Sequence, residues 1–351
     1  MPLLTRMVGT PLAIDIETGA LARLAPLLQD RRISSGGHVA IVVGPGQGEE
    51  LAAQLRPQLE NADIHTISGG VEEAVALSRE LKEEFHDAVV GIGGGRTLDI
   101  AKYASSLAGL PMVAVATSLA HDGIASPVAS LEHAGRKGSY GVQMPIAVVV
   151  DLDYVKRSEP GMRRSGVGDV VSNLTAIADW RLAERERGEE VDGVAVTFAR
   201  VAAMAVLHRQ DGIEDDEFLI ALAEALVLSG LAMATAGSSR PCSGGDHEIL
   251  HAIDHLFPGT AWHGELAGAA SLFVAHLRGD EVLAGEIDAC LRRHGLPRVP
   301  RELGLSDEQF AQAVHYAPRT RPDRYTILEH LDLDERQASE RVDAYVRAFD
   351  R

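Results

Sequence analysis

Short runs of β-branched and apolar residues alternate with stretches of helical spacing through residues 38–150, and this alternation constrains the fold most strongly. A strand–helix–strand order of this kind predicts a parallel sheet flanked by helices. The predicted strands cover residues 38–43, 63–67, 87–92, 112–116 and 145–150, and the predicted helices between them cover 49–59, 71–84 and 97–108. Residues 126–131 and 138–142 predict an antiparallel hairpin around His133, Ala134 and Gly135.

Strand signals nearly vanish after Asp151, and the remaining segments have helical periods. We therefore expect an α/β domain at residues 1–155 and an all-helical domain at residues 156–351. Residues 218–237 are apolar enough to raise the question of a membrane span. They are Ala-rich, include Glu224 and stand alone, so we interpret them as a buried helix. The predicted helices cover residues 170–186, 192–208, 216–236, 246–256 and 266–277.

Composition excludes several classes of function. Aromatic residues make up 4% of the chain and the net charge is −18, which argues against binding to nucleic acid. The two cysteines, Cys242 and Cys290, cannot form a disulfide framework, which fits a reducing compartment. Residues 1–6 lack the apolar core of a signal peptide. We expect a soluble, cytoplasmic protein without membrane insertion.

Three consecutive glycines, Gly93, Gly94 and Gly95, follow a predicted strand and open a predicted helix. Glycines at this position allow a pyrophosphate to approach the backbone N–H groups at the helix N-terminus, so we interpret the motif as a dinucleotide site. It is not the Rossmann fingerprint, because Arg96 occupies the third glycine position. Residues 43–46 offer no carboxylate for an adenosine ribose, which leaves NADP binding open.

His247, His251 and His255 fall four residues apart and line one face of a predicted helix. The Gly- and Ser-rich loop before that helix, residues 237–245, suits an anion. Residues 247–251 also match the H-E-x-x-H motif of zinc proteases. A protease would not need the nucleotide-type first half, and the extended metzincin motif fails, so we interpret this match as coincidental.

Two more potential ligands lie elsewhere in the helical half. His263 begins the helix after a turn, and Asp169 begins another predicted helix, where an N-cap role is the simplest explanation. Two imidazoles and a carboxylate with an open position would form a catalytic zinc or iron site. Spacing alone leaves open whether Asp169 reaches the histidines. Residues 121–127 follow a predicted strand and so lie at the sheet edge where α/β proteins bind ligands, unless they are only a polar turn.

Four groups of residues together resemble the sn-glycerol-1-phosphate dehydrogenase family, within the superfamily of iron-containing alcohol dehydrogenases and dehydroquinate synthase. The resemblance runs from roughly residue 15 to residue 330. The four groups are residues 93–95 with Asp99 and Lys102; Thr117 with residues 121–127; residues 168–173 with 179–180; and residues 237–241 with His247, His263 and Gly264.

The resemblance implies an NAD(P)-binding domain, a helical domain and one divalent metal, with zinc expected and iron or nickel as alternatives. It implies Asp169, His247 and His263 as the metal ligands. The implied reaction is the reversible reduction of dihydroxyacetone phosphate to sn-glycerol 1-phosphate, a step of phospholipid biosynthesis. A homo-oligomer, dimeric or larger, is expected.

The remaining site residues divide between cofactor and substrate. The resemblance implies that Asp122 holds a substrate hydroxyl and that His251 lies either behind the metal ligands or in the proton path, and we name both as catalytic. The Ser239–Arg240 segment is our candidate for binding the substrate phosphate, because a guanidinium and N–H groups suit a dianion. The expected cofactor residues are Gly93, Gly94, Gly95, Asp99, Thr117 and Ser118, and the expected substrate residues are Asp122, Ser126, Ser239 and Arg240.

Two departures from the family pattern border the expected site. Asp246 stands where the family usually has Glu, and Cys242 where a smaller residue is common, so a related substrate remains open. A sugar-phosphate cyclase that uses NAD transiently is the alternative enzyme, although such cyclases need more Lys and Arg than this chain places at the site. A non-enzymatic metal-binding protein is disfavoured by the intact ligand set and glycine motif.

Overall fold

A computed structural model describes residues 9–59, 61–133 and 136–350. The chain divides into two compact units, unit 1 at residues 1–158 and unit 2 at residues 159–351. The division falls three residues after the predicted boundary at 155. The predicted hairpin turn at Ala134 and Gly135 and the predicted lack of a signal peptide at residues 1–6 lie outside the described residues.

Unit 1 contains a parallel sheet and a separate antiparallel hairpin. Its strands are β1 (Ala13–Glu17), β2 (Val39–Val43), β3 (Ala62–Thr66), β4 (Ala88–Gly93), β5 (Met112–Ala116), β6 (Val128–His133), β7 (Arg136–Gly141) and β8 (Ala147–Asp151). Its α-helices are α1 (Leu24–Leu28), α2 (Gln47–Leu55), α3 (Val71–Glu83), α4 (Gly95–Ala108) and α5 (Leu152–Val155). The sheet order is β1-β8-β5-β4-β2-β3, and β6 pairs with β7.

The central strands of the sheet are buried on both faces. Every residue of β2, β4, β5 and β8 is buried, as the continuous apolar runs in the sequence require for strands covered on both sides. The α/β prediction for this half is confirmed. Strand β1 was missed because its sequence, Ala-Ile-Asp-Ile-Glu, alternates apolar and acidic residues at the sheet edge, where it pairs with β8.

Unit 2 is helical: within its described residues no β-strand forms, as predicted. Periodicity located the helices up to residue 277 but not the later ones. The helices are α6 (Pro160–Arg187), α7 (Gly193–Leu207), α8 (Asp216–Ala236), α9 (Gly245–Leu256), α10 (His263–Leu277), α11 (Glu281–Arg293), α12 (Asp307–Tyr316), α13 (Ile327–Leu331) and α14 (Glu335–Phe349).

Helix α8 is the apolar segment that raised the question of a membrane span. By length and hydropathy it is the one described helix that passes the test for a span, and 72% of its most apolar window is buried inside the protein. Phe218, Leu222 and Leu226 on this helix are fully buried. The helix therefore belongs to the core of unit 2, as expected from its composition.

Asp169 does not begin a helix, so that prediction was wrong. Helix α6 starts at Pro160 and continues through Asp169. Gly166 and Gly168 suggested a break because glycine is a poor helix former, but tertiary packing overrides this propensity. A Cβ on Gly168 would lie 2.1 Å from the carbonyl oxygen of Gly264 on α10, so the two helix backbones approach too closely for any side chain.

We predict that Gly168→Ala lowers the free energy of unfolding by about 2 kcal/mol or more, because overpacking against a backbone carbonyl outweighs the better helix propensity of alanine. Urea denaturation followed by circular dichroism measures the change. Gly193→Ala is the matched control, since a Cβ on Gly193 at the start of α7 would meet nothing within 4 Å. Equal stability of the two variants would contradict the proposed contact.

Candidate metal and anion site

Three side chains from three helices of unit 2 converge on one point. Asp169 Oδ1 on α6 lies 3.7 Å from His247 Nε2 on α9 and 3.6 Å from His263 Nε2 at the start of α10. The ligand atoms of all three lie within 4.8 Å of one another. These separations are too long for hydrogen bonds. They suit atoms that share one tetrahedral ion, which at bond lengths of about 2.0–2.2 Å stand about 3.4 Å apart.

A buried carboxylate orients His247. Asp246 Oδ1 lies 2.7 Å from His247 Nδ1, and Thr175 donates to Asp246 Oδ2 over 2.6 Å. A proton on Nδ1 is therefore used in this hydrogen bond, and Nε2 presents its lone pair toward Asp169 and His263. Asp246, the departure from the family pattern, thus supports a metal ligand directly.

The charges around His247 favour a cation. Burial by itself lowers the pKa of His247, but the carboxylates of Asp169 and Asp246 outweigh it and raise that pKa to about 9. Two carboxylates beside two imidazoles leave the cluster negative when the imidazoles are neutral. The donor set, its spacing and its charge fit a divalent transition metal such as zinc or iron.

The H-E-x-x-H match does not form a protease site. Glu248 is fully buried and accepts a hydrogen bond from Thr326 Oγ1 over 3.0 Å. Burial, with the nearby charges of Glu329 and Asp179, raises the pKa of Glu248 to about 9. A carboxyl that is protonated at neutral pH cannot serve as the general base of a protease.

The other two histidines of α9 have different surroundings. His251 Nε2 lies 2.9 Å from an Nη of Arg321, and the His251 ring centroid lies 6.3 Å from that of His247. His255 stacks on Tyr316 at 5.2 Å. His251 therefore links the metal cluster to a cationic side chain, while His255 packs at the far end of the helix.

The two residues of the predicted phosphate-binding segment, Ser239 and Arg240, contact different partners. Arg240 is buried and ion-paired with Glu189, whose Oε1 lies 2.6 Å from Arg240 Nε. Ser239 faces the other way, and its hydroxyl lies 3.3 Å from Arg321 and 2.6 Å from Arg324. The charge of Arg240 is thus offset, while Ser239 lies beside two arginines that sequence reasoning missed.

Arg321 and Arg324 carry positive charge without a carboxylate partner among the described residues. Arg321 donates to the hydroxyls of Ser239 and Ser243, and Arg324 donates to the Ser243 carbonyl and Ser239. Burial and the nearby charges of Arg321 and Arg240 lower the pKa of Arg324 to about 9. Two guanidiniums held by neutral groups form a site for a dianion. The sequence feature that could have pointed to these two arginines is the turn Arg-Pro-Asp-Arg at residues 321–324.

In unit 1 the structure brings the glycine motif together with the segment after β5. Gly94 precedes the first turn of α4, and a Cβ on it would lie 3.3 Å from Ser118 Oγ. A Cβ on Gly95 would lie 2.1 Å from His121 Nε2. Thr117 donates its N–H to the Gly93 carbonyl over 3.1 Å. The absence of side chains on Gly94 and Gly95 therefore lets Ser118 and His121 pack against the start of α4.

The other predicted residues of unit 1 have local partners. Asp99 pairs with Lys102 at 2.8 Å and accepts the Ser130 N–H over 3.1 Å, with both charged side chains buried. Ser126 is buried, and its hydroxyl lies 3.3 Å from the Val128 carbonyl oxygen. Asp122 begins a short turn of 3₁₀-helix. Asp99 thus ties α4 to the hairpin, and binding roles for Asp99, Ser126 and Asp122 stay predictions.

Comparison with known proteins identifies relatives along nearly the whole chain. Residues 15–158 match the family model described as iron-containing alcohol dehydrogenase. The glycerol-1-phosphate dehydrogenase [NAD(P)+] of Hyperthermus butylicus is 36% identical over 93% of this chain and 94% of its own. The enzyme of the same name from Methanospirillum hungatei is 41% identical over 93% of this chain and 90% of its own.

Solved structures share the fold at lower identity. A probable glycerol dehydrogenase from Sinorhizobium meliloti aligns with a TM-score of 0.79 at 19% identity, covering 99% of each chain. A sulfoacetaldehyde reductase from Bifidobacterium kashiwanohense, solved with NAD+, aligns with a TM-score of 0.74 at 16% identity, covering 97% of this chain and 99% of its own. These similarities agree with the predicted fold of an α/β unit followed by a helical unit.

We predict that Asp246→Asn weakens zinc binding about 10–100-fold, because the neutral amide no longer supports the basicity of His247. Zinc titration of chelator-treated protein against a chromogenic chelator measures the affinity. The exposed Asp343→Asn in α14 is the matched control and keeps the wild-type affinity. Unchanged affinity in the Asp246 variant would show that this carboxylate does not act on the metal ligand.

Glu248 predicts a pH dependence of stability. Its pKa is raised from 4.5 to about 9 in the folded protein, so the folded state retains the proton that the unfolded chain loses above pH 4.5. The contribution of Glu248 to the free energy of unfolding is therefore fully present below pH 4.5. As the pH rises, it falls by about 1.4 kcal/mol per pH unit until the carboxyl ionises in the folded protein.

Glu248→Gln should remove this loss of stability. The free energy of unfolding of the variant should therefore exceed that of the wild type by an amount that grows from pH 5.5 to pH 8.5, as measured by urea denaturation. The exposed Glu340→Gln is the control and follows the wild type. Parallel pH profiles for wild type and the Glu248 variant would contradict a protonated Glu248.

Proposed function

This chain belongs to the glycerol-1-phosphate dehydrogenase family, and we propose that it reversibly reduces dihydroxyacetone phosphate to sn-glycerol 1-phosphate with NADH or NADPH. The observation that carries the proposal is the placement of two unpaired guanidiniums beside the metal cluster of unit 2. His251, one helical turn after the ligand His247, contacts Arg321 over 2.9 Å. A short substrate with a ketone next to a phosphate ester matches this pairing of a metal site and an anion site.

The phosphate is bound, on this proposal, by Arg321 and Arg324 with the hydroxyls of Ser239 and Ser243. The arginines are partly buried, so their charge is weakly screened and acts strongly on a dianion. Arg240 supports the site from behind, since its own charge is neutralised by Glu189. Ser239 keeps the substrate role predicted from the sequence, and the two later arginines take the role assigned to Arg240.

The metal and the cofactor supply the chemistry that side chains lack. A divalent ion held by Asp169, His247 and His263 supplies Lewis acidity toward the substrate oxygen, and NAD(P)H supplies the hydride. The pyrophosphate is held, on this proposal, at the N–H groups of Gly94 and Gly95, beside the side chains of Ser118 and His121. Thr117, Ser118 and Asp122 remain the residues proposed to contact the cofactor and a substrate hydroxyl.

His251 is proposed to carry the proton for the substrate oxygen. Its Nε2 contacts the Arg321 guanidinium, which places the ring between the metal cluster and the proposed phosphate site. An imidazole can take up a proton on one nitrogen and release a proton from the other, which is the chemistry that a proton path needs. Asp99 and Lys102 act behind the cofactor by holding α4 against the hairpin.

The cyclase alternative gains no support from the relatives, which are named as dehydrogenases. We place the enzyme in the cytoplasm, because the two cysteines, Cys242 and Cys290, are buried and neither forms a disulfide within the described residues, which fits a reducing compartment. Assembly into a homo-oligomer remains part of the proposal, as does zinc as the ion.

The test is a kinetic comparison of dihydroxyacetone phosphate with dihydroxyacetone, using NADH or NADPH and zinc-loaded protein. We expect turnover of the phosphate ester, with sn-glycerol 1-phosphate as the product. Arg324→Ala should raise KM for the phosphate ester at least about 10-fold, because a charge-assisted hydrogen bond is lost, and leave kcat/KM for dihydroxyacetone unchanged.

Two further variants complete the design. Arg336→Ala removes an exposed arginine of α14 that pairs with Glu340, and it should match the wild type. Ser239→Ala, which perturbs packing less, should raise KM for the phosphate ester by a smaller factor. Equal losses with both substrates would rule out a phosphate role for Arg324, and phosphate release without net NADH oxidation would favour the cyclase.

A further inference from the structure

A second group of histidines and carboxylates lies in unit 1, beside the edge strand β3. We propose that His65, Glu84 and His86 bind a structural divalent transition metal, with zinc as the expected ion. His65 is on the edge strand β3, Glu84 follows the last residue of α3, and His86 lies two residues before β4. The three ligand atoms lie within 4.8 Å of one another.

The separations between these groups are those of ligands rather than hydrogen-bond partners. His86 Nδ1 lies 3.8 Å from Glu84 Oε2. The rings of His65 and His86 meet edge to face with centroids 5.8 Å apart. At such distances neither imidazole donates to the carboxylate, but one ion bonded at about 2.0–2.2 Å can bridge all three.

Two ring nitrogens at this point are buried without a hydrogen bond to any described residue. They are His65 Nε2 and His86 Nδ1, and the His86 side chain has 0% exposure. A buried polar atom left without a partner destabilises the folded state. Two such atoms beside one carboxylate are satisfied together by a metal ion, which accepts the lone pairs of both.

The opposite nitrogen of each ring faces a different carboxylate. His86 Nε2 lies 3.1 Å from Asp63 Oδ2, and His65 Nδ1 lies 3.6 Å from Glu80 Oε2. The Asp63 carboxylate lies at hydrogen-bond distance, so it favours a proton on His86 Nε2 and leaves Nδ1 as a metal ligand, whereas 3.6 Å is too long for a hydrogen bond between His65 and Glu80. The arrangement repeats the one in unit 2, where Asp246 stands behind His247.

The backbone at this point has an unfavourable conformation that directs His86 inward. Phe85 has φ 58°, a left-handed conformation that usually requires glycine, and its side chain is 84% exposed. This conformation is unfavourable for any residue with a Cβ. The His86 N–H then donates to the Leu81 carbonyl over 3.1 Å, and the imidazole enters the interior. The turn places Glu84 and His86 at one point.

The donor set selects the class of metal. Imidazole nitrogens favour zinc and its neighbours among the transition metals over magnesium or calcium, which prefer oxygen. The proposed ion joins the edge strand β3, the end of α3 and the segment that enters β4. It therefore stabilises the edge of the sheet and takes no part in hydride transfer.

Zinc titration of the full chain, after chelator treatment, tests this proposal. Bound metal is measured by elemental mass spectrometry after gel filtration. We expect about two zinc ions per wild-type chain and about one in His65→Ala, in Glu84→Gln and in His247→Ala. Zinc should raise the Tm of the His247 variant, which keeps the proposed site, and not that of a His65→Ala/His247→Ala double variant.

Two control variants define the ligands. His133→Ala removes an exposed histidine of the same unit, and His38→Ala removes the imidazole on the other side of Asp63, which lies 2.9 Å from that carboxylate. Both should retain about two ions. Wild-type zinc content in both the His65 and Glu84 variants, or no bound zinc in His247→Ala, would overturn the proposal. Loss of an ion in His38→Ala alone would overturn the ligand assignment.

Discussion

The close contact between the backbones of α6 and α10 determines the geometry of the metal cluster. A Cβ on Gly264 would lie 1.8 Å from the Ser165 carbonyl oxygen, and the Gly264 N–H donates to Ser165 Oγ over 2.9 Å. Two of the three ligands adjoin a glycine of this contact: Asp169 follows Gly168, and His263 precedes Gly264. Because the helices meet backbone to backbone, short side chains reach a common point. Larger residues at these glycines would push the two helices apart and so separate the ligands, although the ligand residues themselves would be unchanged.

Asp179, farther along α6, connects the metal cluster with the segment that carries Arg321 and Arg324, here called the arginine loop. Its carboxylate accepts the N–H of Gly245 at the start of α9 over 2.8 Å and the N–H of Ile327 over 2.7 Å, and it pairs with Arg278. One buried carboxylate thus fixes both the helix that carries His247 and the segment that follows Arg324. The two halves of the candidate site in unit 2 are therefore positioned by a single helix, α6.

Local sequence patterns predicted most of the fold, but they did not predict contacts between residues far apart in the sequence. The buried strands were evident because apolar runs report burial on both faces, and His247 and His251 shared a helix face by spacing alone. The role of Asp169 came only from the family resemblance, and its helix start was misplaced because glycine propensity ignores the contact with Gly264. Arg321 and Arg324 meet Ser239 across more than 80 residues of sequence, which no local period records.

The arginine loop also makes the stability of the protein depend on its substrate. Burial and the nearby charges of Arg321 and Arg240 lower the pKa of Arg324, and the carboxylates of Glu248 and Asp323 offset this only in part, so the folded chain retains some repulsion between like charges. A ligand that binds only the folded state stabilises it in proportion to the logarithm of its concentration. On the proposed function, bound substrate relieves this repulsion and so raises the stability of the folded enzyme. The same charges that select the substrate thereby couple the stability of the enzyme to the supply of substrate.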